Sequence, residues 1–99
     1  LHGGHLTARA LETSPDSAVI EVRNTGETAV LFADITDASD EWNLVRNDNF
    51  RTLLPGERWQ TRVQWSHRFR IGFDDFTAHT TERPILTVDG IGLDAPVLI

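Results

Sequence analysis

The stretch Leu54-Pro55-Gly56-Glu57, followed by Arg58-Trp59-Gln60-Thr61-Arg62-Val63-Gln64-Trp65, constrains this chain more than any other. Proline presets φ at the second position of a turn and glycine supplies positive φ at the third, so residues 54–57 predict a type II turn. The eight residues after it alternate without interruption. Trp59, Thr61, Val63 and Trp65 fall on one side of an extended strand, and Arg58, Gln60, Arg62 and Gln64 on the other. A strand with one apolar and one wet face belongs to an antiparallel sheet packed on one side only.

The same period recurs along the chain. Leu6 to Glu12 places Leu6, Ala8 and Ala10 together, and Ser17 to Asn24 places Ala18, Ile20 and Val22 inward against Glu21 and Arg23. Thr13–Asp16 reads as a turn between them, and Asn24-Thr25-Gly26-Glu27 as a short hairpin. Thr28 to Thr36 is the most apolar segment. Alternation puts Ala29, Leu31, Ala33 and Ile35 on one side and Val30 and Phe32 on the other, so one side faces the core and the other calls for cover. Asp37 to Glu41 is a polar loop, Trp42 to Arg46 a short strand, and Thr52 to Leu54 a brief pairing before the Pro-Gly turn. His67 to Phe73 reads as the hairpin partner of Arg58–Trp65, Asp74 to Arg83 as a loop, Pro84 to Asp89 as the last strand and Leu93 to Ile99 as a tail. No segment carries a helical period. Short strands separated by turn signals predict an all-β fold, an immunoglobulin-like antiparallel β-sandwich of about seven strands.

Residues 1–99 are the length of a single domain, and 39% hydrophobic residues with three Trp and five Phe can fill one core. The net charge of −6 argues against a nucleic-acid partner and against an anionic membrane surface. No apolar run approaches the roughly 20 residues of a membrane-spanning helix. The absence of cysteine excludes a disulfide scaffold, thiol chemistry and a Cys-based zinc site. The start, Leu1-His2-Gly3-Gly4-His5, carries neither Met nor a signal-peptide pattern, so the chain reads as an excised or processed piece of a larger protein.

Candidate chemistry is thin. Asp34, Asp37, Asp40 and Glu41 offer the hard oxygens calcium needs, but without EF-hand spacing or its glycine they read as a solvated loop. Asp74 and Asp75 with Glu82 suggest a glycosidase carboxylate pair only if a cleft holds them apart, and adjacent strand residues point to opposite faces. His2, His5, His67 and His79 are too scattered for zinc, and Ser66-His67 lacks the turn context of a nucleophile. Trp42, Trp59 and Trp65 are either sugar-stacking platforms or core, and the apolar company of Trp59 and Trp65 favours core. Arg58, Arg62, Arg68 and Arg70 would form a basic stripe able to meet acidic groups on a neighbouring domain. The reading is therefore no catalytic residue, no cofactor-binding residue, no metal ligand and no cofactor.

Val22-Arg23-Asn24-Thr25-Gly26, the apolar strand from Ala29 to Ile35, the stretch from Asn47 to Glu57 (Asn-Asp-Asn-Phe-Arg-Thr-Leu-Leu-Pro-Gly-Glu) and Val88-Asp89-Gly90 together resemble the C-terminal immunoglobulin-like domain of family 2-type glycoside hydrolases, closest to the β-mannosidase and exo-β-glucosaminidase group. The likeness spans about residues 6 to 92. It departs at Arg51, where an aromatic is common, and at Gly90-Ile91-Gly92, where Gly-Trp-Asn is frequent. The resemblance implies a C-terminal accessory domain, not an enzyme by itself, that packs against neighbouring domains of a secreted or periplasmic parent involved in carbohydrate metabolism. The family's catalytic glutamates lie in a separate barrel, and none maps onto this chain. The competing expectations are a carbohydrate-binding module with weak affinity for sugar and a fibronectin-III-like spacer or adhesion domain. Exposure of the tryptophans separates the first from the leading reading.

Overall fold

A computed structural model describes residues 4–46, 48, 50–67 and 83–99. They form two four-stranded antiparallel sheets facing each other, with no helix among the described residues. The strands are β1 (Leu6–Thr13), β2 (Ser17–Asn24), β3 (Val30–Asp37), β4 (Trp42–Arg46), β5 (Arg51–Leu53), β6 (Arg58–His67), β7 (Leu86–Ile91) and β8 (Val97–Leu98). The first sheet runs β1-β2-β6-β4 and the second β5-β3-β7-β8. With the three-residue β5 set aside, this is the strand order of an immunoglobulin constant-type sandwich. The expected all-β sandwich is present, with eight described strands rather than about seven.

The core lies between the sheets, and alternation explains most of it. Trp59, Thr61, Val63 and Trp65 of β6 are buried, and their Arg and Gln neighbours are exposed. Ala18, Ile20 and Val22 of β2 stand beside them in the same sheet, with Val30, Ala33 and Ile35 of β3, Leu53 of β5 and Leu86 and Val88 of β7 opposite. Each large apolar side chain so buried contributes about 1.5–3 kcal/mol. The turn at 54–57 is as expected. Gly56 has φ +83°, and Glu57 N donates to Leu54 O at 3.0 Å, while the Glu57 carboxylate accepts the Leu54 N–H at 2.7 Å.

Four local expectations are corrected. Asn24–Glu27 is not a hairpin, because β2 and β3 lie in different sheets. Asn24 makes the corner instead. It is 1% exposed, its amide donates to Thr28 O and Leu53 O at 2.9 Å, and its Oδ1 accepts the Gly26 N–H at 3.0 Å. A buried amide satisfied from both sides of the loop turns the chain from one sheet to the other. No hairpin turn stands at Ser66 either. β6 continues to His67, paired with β2 over 58–64 and with β4 over 63–67. The expected partner strand His67–Phe73 beyond His67, and the expected loop Asp74–Arg83 before Arg83, lie outside the described residues. The last clear strand runs over Leu86–Ile91 rather than Pro84–Asp89, and the expected tail contains β8, which pairs Thr87 with Leu98 and Val88 with Val97.

The fourth correction concerns β3. Its alternation breaks between Val30 and Ala33, where the pairing with both β5 and β7 shifts register. Phe32 there has φ +54°, a left-handed conformation unusual for a bulky residue. The bulge rotates the strand by one residue. Val30 therefore joins Ala33 and Ile35 in the core, Leu31 is half-buried and Phe32 is 56% exposed. Gly90 of β7 permits this close approach. A Cβ on it would lie 2.8 Å from Val30 Cγ1 and 2.9 Å from Leu31 O.

Candidate functional site

The tryptophans offer no sugar platform. Trp42, Trp59 and Trp65 are 7%, 2% and 7% exposed. Trp59 Nε1 donates to Asp48 Oδ2 at 3.1 Å, and Trp65 Nε1 to Pro15 O at 3.0 Å, so each of these two buried indoles has its polar atom satisfied. An exposed aromatic line, the feature that would mark a carbohydrate-binding module, is not made by these three residues.

A polar groove of about 350 Å³ opens between β4 and the C-terminal end of β3, lined by Thr36, Asp37, Asp40, Trp42, Asn43, Leu44 and Arg46. This is the acidic loop, and its chemistry is structural. The Asp37 carboxylate accepts five hydrogen bonds. Ser39 N–H, Ser39 Oγ–H, Glu41 N–H, Trp42 N–H and Ile85 N–H donate at 3.0, 2.7, 3.1, 3.1 and 2.9 Å. Burial pushes the carboxyl pKa up, but the Ser39 hydroxyl and the N–H groups of Ile85, Ser39 and Glu41 outweigh it and hold Asp37 below its ordinary value. Its oxygens are thus committed to pinning the β3–β4 loop to the approach of β7. Asp34 Oδ1 accepts the Ile35 N–H at 2.9 Å and stands 3.1 Å from Arg46 Nε. The Arg46 Nε–H makes no hydrogen bond, so this contact is an ion pair rather than an aligned charge-assisted bond. No group of three or more metal-ligating side chains forms among the described residues.

The other candidate residues are dispersed. His5 Nδ1 hydrogen-bonds the Thr25 hydroxyl at the corner beside Asn24. Ser66 is exposed opposite Asn43, on the outer side of the first sheet. His2, His79, Asp74, Asp75, Glu82, Arg68 and Arg70 lie outside the described residues. Arg58 and Arg62 do share an exposed face, and they share it with Arg23 and Arg9 of the two strands beyond. The alternation in β1 and β2 already carried that signal, because Arg9 and Arg23 occupy outward positions there.

The outer face of the second sheet carries what sequence reasoning misplaced. Phe32 and Ile91, 56% and 51% exposed, line one shallow depression with Asp89 and Gly90. Two of its four lining residues are large apolar side chains, Asp89 adds a carboxylate, and Phe32 is an aromatic held at positive φ. The depression has no acid–base pair and no enclosed volume, so it suits contact with another surface rather than bond chemistry. No protein-family model, curated protein or solved structure matches this chain.

Proposed function

We propose that this sandwich is a noncatalytic accessory domain of a glycoside hydrolase of the β-mannosidase and exo-β-glucosaminidase kind, and that it docks onto a neighbouring domain by the outer face of its second sheet. Phe32 carries the reading. A bulky residue in the left-handed region costs about 1–3 kcal/mol, and this one is 56% exposed, so burial within the domain offsets only part of that cost. Cover by a second domain offsets that cost. Ile91, directly cross-strand from Leu31, widens the apolar surface. The sugar-cleaving parent is supported by the motif likeness from Val22 to Gly26 and from Asn47 to Glu57.

Two measurements test the two halves. The isolated chain, assayed with aryl β-mannosides, aryl β-glucosaminides and neutral oligosaccharides, is expected to show no turnover and no binding tighter than about 100 μM. Turnover overturns the noncatalytic reading. In the natural polypeptide, the F32D/I91S pair is expected to expose the domain junction to limited proteolysis while leaving the isolated domain folded. An unchanged digestion pattern removes the docking face.

A further inference from the structure

All nine basic residues of this chain are arginines, and it has no lysine. Four of them gather on the outer face of the first sheet. β1, β2 and β6 lie side by side there in the rows Thr7–Arg23–Arg58, Arg9–Glu21–Gln60 and Glu12–Val19–Arg62. Glu21 is occupied, 3.3 Å from Arg9 and accepting from Gln60 Nε2 at 3.4 Å. Arg23, Arg58 and Arg62 are exposed, and no carboxylate pairs with them among the described residues. Arg23 and Arg58 stand directly opposite each other across the ladder, an arrangement of like charges that disfavours the fold. Among the described residues, four arginines against two glutamates leave these three rows positive on a chain whose net charge is −6.

We infer that this face binds an acidic, carboxylated polysaccharide. Guanidinium groups grip carboxylates in pairs of parallel hydrogen bonds, which lysine cannot match. Arg58 and Arg62 lie about 13 Å apart along β6, with Gln60 between them and Gln64 and Ser66 beyond, so hydroxyl-binding groups interleave with carboxylate-binding ones. Among the described residues the surface has no exposed aromatic, and its apolar members are Val19, Val45 and Leu11 at the β1 bulge. Protein interfaces are anchored by aromatic and large apolar side chains, and single-stranded nucleic acids by aromatic stacking, so both fit less well. The negative charge of the rest of the domain also repels a densely charged phosphate polymer more than a sparsely charged uronate chain. The positive face stands independently of the proposed docking role, since it lies on the opposite sheet.

The test is calorimetric titration of the purified chain with polygalacturonate at low ionic strength, in parallel with neutral dextran, polyglutamate and duplex DNA. The expected result is binding to polygalacturonate alone, weakened about tenfold by each of R23Q, R58Q and R62Q. Arg51→Gln is the control. That residue pairs with Asp48 at 3.0 Å in the second sheet, and its loss is expected to leave affinity unchanged. R58Q is also expected to melt at or above the parent temperature, because it removes the opposed pair while affinity falls. Affinity insensitive to the three arginines overturns the assignment, as does equal or tighter binding of polyglutamate or DNA, or no binding to polygalacturonate. A lower melting temperature for R58Q overturns the claim that the pair is kept at the expense of stability.

Discussion

β6 and β3 are the two strands on which the sandwich is built, and they obey different rules. In β6, side-chain direction follows residue number from Arg58 to Ser66, and every expected inward residue is buried. In β3, direction follows residue number only to Leu31, then reverses through one left-handed residue. Both strands are central in their sheets. The difference lies in their neighbours. β6 pairs without any register shift, with β2 over 58–64 and with the five-residue β4 over 63–67. β3 has the three-residue β5 on one side and, on the other, β7 carrying Gly90, which leaves room for a bulge. Alternation is reliable where a strand is clamped along its length and weak where a partner can yield.

Substitutions at five positions probe that contrast. Trp59→Ala is expected to cost about 3–5 kcal/mol in chemical denaturation, since it empties the largest fully buried site on the regular strand. A loss under about 1 kcal/mol would mean that β6 does not anchor the core. Asp37→Ala should cost about 2–3 kcal/mol by stranding the donors that converge on the carboxylate.

The same residue sets a pH dependence. Its folded pKa lies below the ordinary 3.8, so its contribution is complete above that value and is lost as pH falls through the folded pKa. Acid unfolding of Asp37→Asn should therefore lack that component, and identical acid profiles for the two proteins would contradict it.

Gly90→Ala is expected to cost about 1–3 kcal/mol, because the added Cβ meets Leu31 O and the Ala33 backbone at the bulge. If it is neutral, the bulge is not held by β7. Gly56→Val should cost a little over 1 kcal/mol through backbone strain alone, since no atom lies within 4 Å of the added Cβ. Phe32→Asn is the smallest change and the most informative. It suits φ +54° better, so the isolated domain should melt unchanged or be stabilised by less than about 1 kcal/mol. A clear loss of stability would place the ring in the core and erase the distinction between the strands.

The candidate surfaces divide in the same way. The arginine face was half legible in the sequence. Arg58 and Arg62 alternate with core residues, but their company with Arg9 and Arg23 needs the pairing of β1, β2 and β6. The Phe32–Ile91 surface was not legible, because strict alternation puts Val30 and Phe32 together and the register shift separates them. The buried state of Trp59 and Trp65 followed from their position opposite Arg and Gln. That of Trp42, which begins a short strand beside a loop, did not.

The sequence by itself determined the all-β class, the span of β2 and β4, the two faces of β6 and the glycine turn at 54–57. Each depends on chemistry within a few residues, such as proline and glycine dihedrals or the two-residue period of an extended chain. Only the tertiary structure decided that Asn24 turns a corner between sheets, that β8 completes the second sheet, that Asp37 is a loop anchor and that Phe32 faces water. Of these, β8 depends on its ladder with the nearby Thr87 and Val88, while the other three depend on partners far away in the chain: Leu53 for Asn24, Ile85 for Asp37 and Gly90 for Phe32. Contacts at such separations arise from how the sheets pack, and no local pattern of residues encodes them.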